Sequence, residues 1–173
     1  MKRIRFLVTT VVSLLFLSGC TDNNDEIEKQ VEIQELSVAN KIRKLEDDGN
    51  IPKLNKDNTL AGEDNDKNGI RDDIDKYIYK HYKEPKKHAA VLQVAKAMQK
   101  VMLVDKTNID KVKEVDRIHN RAVHCLFSVF ELNEVPNIEA LTYNTKKRLL
   151  EDLKYSKTLD GTVSSSPEGD TCE

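Results

Sequence analysis

The chain has 173 residues, a size suited to one domain, and 28 basic residues stand against 30 acidic ones for a formal net charge of −2. The acidic balance, without an extended basic run beyond the first few residues, argues against nucleic acid as a partner and against electrostatic attachment to anionic lipid.

Met1-Lys2-Arg3-Ile4-Arg5 is a basic start, and Phe6 to Leu17 is an apolar stretch of about a dozen residues, too short for a comfortable transmembrane helix. Residues 1–19 therefore read as a signal peptide. It ends in Leu17-Ser18-Gly19-Cys20, which resembles a bacterial lipobox. The resemblance implies that the Cys20 thiol receives a diacylglyceryl group, that cleavage makes Cys20 the new N-terminus, and that acyl chains, palmitate among them, anchor it to a membrane. Thr21 follows the cysteine where Asp would imply retention at the inner membrane, so by the same resemblance the outer membrane, facing the periplasm, is favoured. Removing Lys2, Arg3 and Arg5 with the signal leaves 25 basic residues against 30 acidic, a net charge of about −5.

Residues 20–26 read as the lipidated N-terminus and a polar tether, and residues 27–173 as a single helical domain. Ile27, Val31, Val38, Ile42 and Leu45 follow three-to-four spacing and predict a helix, stopped by Asp48-Gly49-Asn50. Ile51-Pro52 then opens an extended connection.

That connection leads to Asp64-Asn65-Asp66-Lys67-Asn68-Gly69-Ile70-Arg71-Asp72-Asp73-Ile74-Asp75. Oxygen-bearing side chains fall at positions 1, 3, 5, 9 and 12 of this stretch, with glycine at position 6 where a chain wrapped around a cation turns sharply. A hard divalent cation takes about six to eight oxygens, and alternate side chains of a tight loop converge on one centre. The expected ligands for Ca2+ are Asp64, Asp66 and Asn68, the Ile70 backbone carbonyl, Asp72 directly or through water, and Asp75. Position 12 of an EF-hand usually carries the longer Glu, so Asp75 implies looser closure and modest affinity. The alternative is a solvated acidic turn in which Lys67 and Arg71 neutralise part of the charge. Asp73 reads as a first-turn acid favoured by the helix dipole, not as a ligand.

The pattern D-x-D-x-N-G-x-x-D-x-x-D over 64–75 resembles the calcium repeat of thrombospondin type 3 modules and the EF-hand-like loops of bacterial surface proteins. With Thr59-Leu60-Ala61-Gly62 before it and Ile74-Asp75-Lys76-Tyr77-Ile78 after it, the segment is similar to a group of uncharacterised bacterial lipoproteins with one such loop ahead of a helical domain. The resemblance implies calcium at the matching positions. The repeat occurs once, and no clear helix precedes it, since Asn55 to Glu63 is polar and turn-like.

Beyond the loop, Ile70, Ile74, Tyr77, Ile78 and Tyr82 predict one apolar helix side, so that ordering the loop orders the core. Pro85 is expected in the first turn of the next helix, with Ala89, Leu92, Ala95, Met98 or Gln99, and Met102 along one face. A sustained register of Ile109, Val112, Val115, Ile118, Ala122, Cys125 or Leu126, and Val129 predicts a long amphipathic helix and marks it as the central one. Asn133 to Pro136 ends it. Asn137 is placed to cap a last helix whose buried face is Ile138, Leu141, Leu149 and Leu153, while Asn144, Thr145 and Arg148 are expected to bond a neighbouring loop. Residues from 159 on form a loop-rich tail.

The fold class is all-α, a small bundle of four to five helices with one calcium-binding loop and an irregular C-terminal tail. With Cys20 lipidated, Cys125 and Cys172 remain, and an exported chain favours a disulfide between them. His81, His88, His119 and His124 lack the spacing of a helical zinc site, and Ser164 to Ser166 have no adjacent histidine signature. The expected function is that of a membrane-anchored envelope lipoprotein with a structural calcium site and a non-enzymatic binding or structural role, its protein partner unspecified. A lipid-anchored immunity or surface-exclusion protein that binds a toxin is the alternative, and a hydrolase with an unrecognised site a lesser one.

Overall fold

The computed structural model describes residues 40–132, 135 and 137–173. Cys20, the signal and tether segments, most of the helix expected from Ile27, and Asn133, Glu134 and Pro136, expected to end the long amphipathic helix, lie outside the described residues. The chain divides into Met1–Asn40 and Lys41–Glu173. Both apolar clusters and the disulfide lie within Lys41–Glu173, so this unit carries its own core and its own staple.

The described residues are all-α. Helix α1, described over residues 40–47, packs Ile42 on the main core and ends where Gly49 adopts φ 71°. Ile51 and Leu54 are buried along the irregular connection that follows. Helix α2 (Asp72–His81) buries Ile74 and Ile78, α3 (Pro85–Leu103) starts with proline at its first position, and α4 (Ile109–Val129) is capped by the Asn108 side chain. Helix α5 (Ile138–Thr142) is capped by Asn137 and α6 (Lys146–Thr158) by Thr145.

Two sequence expectations are corrected. The central helix is α3, not α4: α3 packs against α2, α4, α5 and α6. Its buried set is Ala90, Val91, Val94, Ala95, Ala97, Met98, Gln99, Val101 and Met102, while Ala89 and Leu92 are only half-buried. A helix enclosed on several sides has no single apolar stripe to read, and its alanines let neighbours approach closely. The expected last helix is two helices, broken at Tyr143-Asn144-Thr145, which brings the described helices to six. Thr145 restarts the chain as an N-cap, and the new direction leaves Leu149 and Leu153 exposed instead of buried.

Most buried apolar residues form one cluster, which Tyr82 joins through edge-on contacts with Tyr77 and Phe130. A smaller cluster of Val101, Val112 and Tyr155 lies under α6. The Cys125–Cys172 disulfide staples the tail to α4, and Thr171, buried at the tail's end, donates or accepts with His124 Nδ1 at 3.1 Å. Gln93 Nε2 donates to the Thr171 carbonyl at 2.9 Å.

Candidate metal centre and the arginine network behind it

The acidic loop is wound by its own side chains. Asp64 accepts from the Asn68 and Gly69 N–H groups at 3.1 and 3.0 Å, and Asn68 Oδ1 accepts from the Ile70 N–H at 2.8 Å. Asp66 accepts from the Asn68 backbone N–H at 3.2 Å and from its Nδ2 at 3.0 Å. Gly69 has φ 86°, and Lys67, with φ 58°, also takes the left-handed region. Asp72 holds Asn65 by both its backbone and side-chain N–H groups, and these bonds lower the Asp72 pKa.

The carboxylate oxygens of Asp64, Asp66 and Asp72 converge within 4.8 Å of one another. The donors are all oxygens, which suits a hard divalent cation. Asp75 lies outside that trio and reaches it through Asn68, whose Nδ2 is 3.4 Å from Asp75 Oδ2. Burial, then the negative charge of Asp66, raises the Asp75 pKa, which Asn68 partly opposes. The Asn68 amide faces Asp66 and Asp75 with its nitrogen, so a role as metal ligand requires that amide to turn over. The Ile70 side chain is buried in the core, as its place in the loop pattern implied.

Arg71 does not neutralise the loop. Its side chain has no exposed surface and turns away from the aspartates, binding Asp73 through Nε at 2.6 Å and Nη2 at 2.9 Å. The same guanidinium donates to the Thr142 and Leu141 carbonyls at 3.1 and 3.0 Å, the last turn of α5. Asp73 is therefore more than a first-turn acid: it also accepts from the Asn55 N–H at 2.7 Å and the Ile74 N–H at 2.9 Å. Gly62 passes directly over this arginine, since a Cβ there would stand 2.2 Å from Arg71 Cδ.

A second fully buried arginine gathers the connection before the loop. Arg148 donates to the Asn55 carbonyl at 2.6 Å, to Asn55 Oδ1 at 3.0 Å and to Asp57 at 3.1 Å. Asn144 Nδ2 adds a bond to the same Asn55 carbonyl at 3.0 Å, so the expected pairing of Asn144 and Arg148 with a loop is met. Burial, followed by the nearby Arg71, lowers the Arg148 pKa, and Asp57 and Asp73 oppose that. Among the described residues, no buried side-chain nitrogen or oxygen lacks a partner. Sequence reading missed the Arg71–Asp73 pair; its one local sign was an arginine inserted between Ile70, which must face inward, and the acidic first turn.

Away from the loop, the tail and α4 form an open groove of about 370 Å³, lined by Asn120, Val123, His124, Phe127 and Ser164 to Pro167. The fold thus brings His124 near the tail serines, which their sequence positions did not reveal. Their hydrogen bonds run elsewhere, however: Ser164 donates to Asp116, and His124 bonds Thr171. Among the described residues no helix is long and apolar enough to cross a membrane. Comparison with protein-family models, with curated proteins and with solved structures returns no match to the chain.

Proposed function

We propose that the chain is a lipid-anchored envelope protein in which residues 64–75 hold a structural Ca2+ ion, and that its role is to bind or brace, not to catalyse. The observation that carries the calcium reading is the convergence of Asp64, Asp66 and Asp72 on one point of a glycine-turned loop. Three negative charges held within 4.8 Å repel one another, and a divalent cation converts that repulsion to attraction. The loop is also fastened to the interior at two adjacent residues near its middle, by Ile70 in the apolar cluster and by Arg71 on the α5 carbonyls. Ordering the loop around an ion therefore steadies the unit itself, which suits a permanently filled site with a dissociation constant of about 10⁻⁴ to 10⁻³ M. The anchor rests on the Leu17-Ser18-Gly19-Cys20 lipobox resemblance, which also favours the outer membrane.

Isothermal titration of the signal-free chain with Ca2+ tests the metal. One site per chain is expected, with heat lost in Asp64→Asn/Asp66→Asn; titration without heat at millimolar calcium refutes the site. Mass spectrometry of the membrane-extracted protein tests the anchor, with an acylated Cys20 at the N-terminus expected and an unmodified one refuting it.

A further inference from the structure

The outer face of α6 combines exposed leucines with lysines, although the chain as a whole is acidic. Leu149, Leu150 and Leu153 are 37%, 45% and 54% exposed, and Lys146, Lys147, Lys154 and Lys157 are exposed as well. At about 100° per residue these seven side chains share one half of the helix surface, with lysines interleaved among leucines. Arg148 and Tyr155 point the opposite way and are buried, which locks the helix to the body with this face outward. The two acids of the helix do not interrupt the face. Glu151, 17% exposed, pairs with Lys106 and Lys154, and Asp152 is half-buried beside Tyr143.

We propose that this face of α6 docks on an anionic phospholipid surface. Leu149, Leu150 and Leu153 would enter the boundary between headgroups and acyl chains, and the four lysines would meet lipid phosphates while their stems lie along the apolar layer. Charge complementarity selects the occupant: the face carries four lysines, of which Lys154 also pairs with Glu151 and Lys147 also donates to the Asn58 carbonyl, and no outward carboxylate, although the chain as a whole is acidic. Net composition hides this asymmetry because the acids are concentrated elsewhere, in the 64–75 loop among other places. The inference is independent of the Cys20 anchor and of calcium. If both are correct, the bilayer is met at two points, and the orientation of the unit on it is set.

The chain contains no tryptophan, so Leu150→Trp supplies a single fluorescent reporter on the face, and Val163→Trp, at a fully exposed tail position, supplies a control. Both are made in the signal-free chain carrying Cys20→Ser, which removes the lipid anchor, and are measured in EDTA. Vesicles of phosphatidylcholine containing phosphatidylglycerol are expected to blue-shift the emission of the Leu150→Trp variant, with quenching by bromolipid, and to leave that of the Val163→Trp variant unchanged. Pure phosphatidylcholine vesicles should give no shift. Lys146→Glu/Lys157→Glu should weaken partitioning, by roughly fivefold for each lysine removed. Absence of a shift with phosphatidylglycerol, equal shifts at both reporters, or charge-reversed variants that partition like the parent would overturn the proposal. A shift produced by polyglutamate but not by vesicles would overturn it in favour of an acidic protein partner.

Discussion

Replacing Arg71 by methionine removes a cation that has no contact with solvent and leaves Asp73 buried, hydrogen-bonded to the Asn55 and Ile74 N–H groups and attracted by the more distant charge of Arg148. It also strips the Leu141 and Thr142 carbonyls of their donor at the end of α5. An exposed ion pair contributes about 0–1 kcal/mol, whereas breaking a buried one costs about 3–5 kcal/mol because a charge is left uncompensated. Arg71→Met is therefore expected to destabilise the chain by about 3–5 kcal/mol, which lowers the melting temperature of a unit of this size by roughly 10 °C or more. Urea denaturation followed by far-ultraviolet circular dichroism measures it, with an unchanged slope showing that the native state stays compact. Neutralising the stranded carboxylate should recover part of the loss, so Arg71→Met/Asp73→Asn is expected to be more stable than Arg71→Met alone. A single variant within about 1 kcal/mol of the parent, or a double variant less stable than the single, would refute the argument.

Four further outcomes are expected. Raising free Ca2+ to about 100 times its dissociation constant should stabilise the chain by about 2.7 kcal/mol, reversed by EDTA and absent in Asp64→Asn/Asp66→Asn, as read by differential scanning calorimetry. Gly62→Ala, which forces a side chain into φ 68° and against Arg71 Cδ, should cost more than about 2 kcal/mol; a neutral result would show that Arg71 can move aside freely. Reducing Cys125–Cys172, separated by 47 residues, should cost up to about 4 kcal/mol and make residues 159–173 the first site of proteolysis. Burial holds the His119 pKa below its usual value, against the pull of Asp116, Asp152 and Glu139. The unfolded chain then binds the proton more readily, so stability should fall as pH drops through about 6.5 and level off below the folded-state pKa, with a slope of at most about 1.4 kcal/mol per pH unit. His119→Gln should flatten that decline in urea titrations; an unchanged slope would assign it to other groups.

Local chemistry was legible in the amino-acid sequence, because capping, turn and disulfide preferences involve few residues. Asn137 as a cap, Pro85 at a helix start, Gly49 as a stop and the Cys125–Cys172 pairing all follow from short-range geometry or from counting. So does the spacing that brings Asp64, Asp66 and Asp72 together, since a tight turn of fixed pitch aims alternate side chains at one point. Tertiary structure decided what each face meets. It made α3 the enclosed helix, split the last helix at Asn144, and turned Arg71 inward to Asp73 and to carbonyls about seventy positions away. It also set Leu150 and Leu153 among lysines on an outer surface. Periodicity records only that a side chain is apolar or charged. Whether such a group is buried depends on which elements arrive to cover it, and that is settled by contacts between residues far apart in the chain.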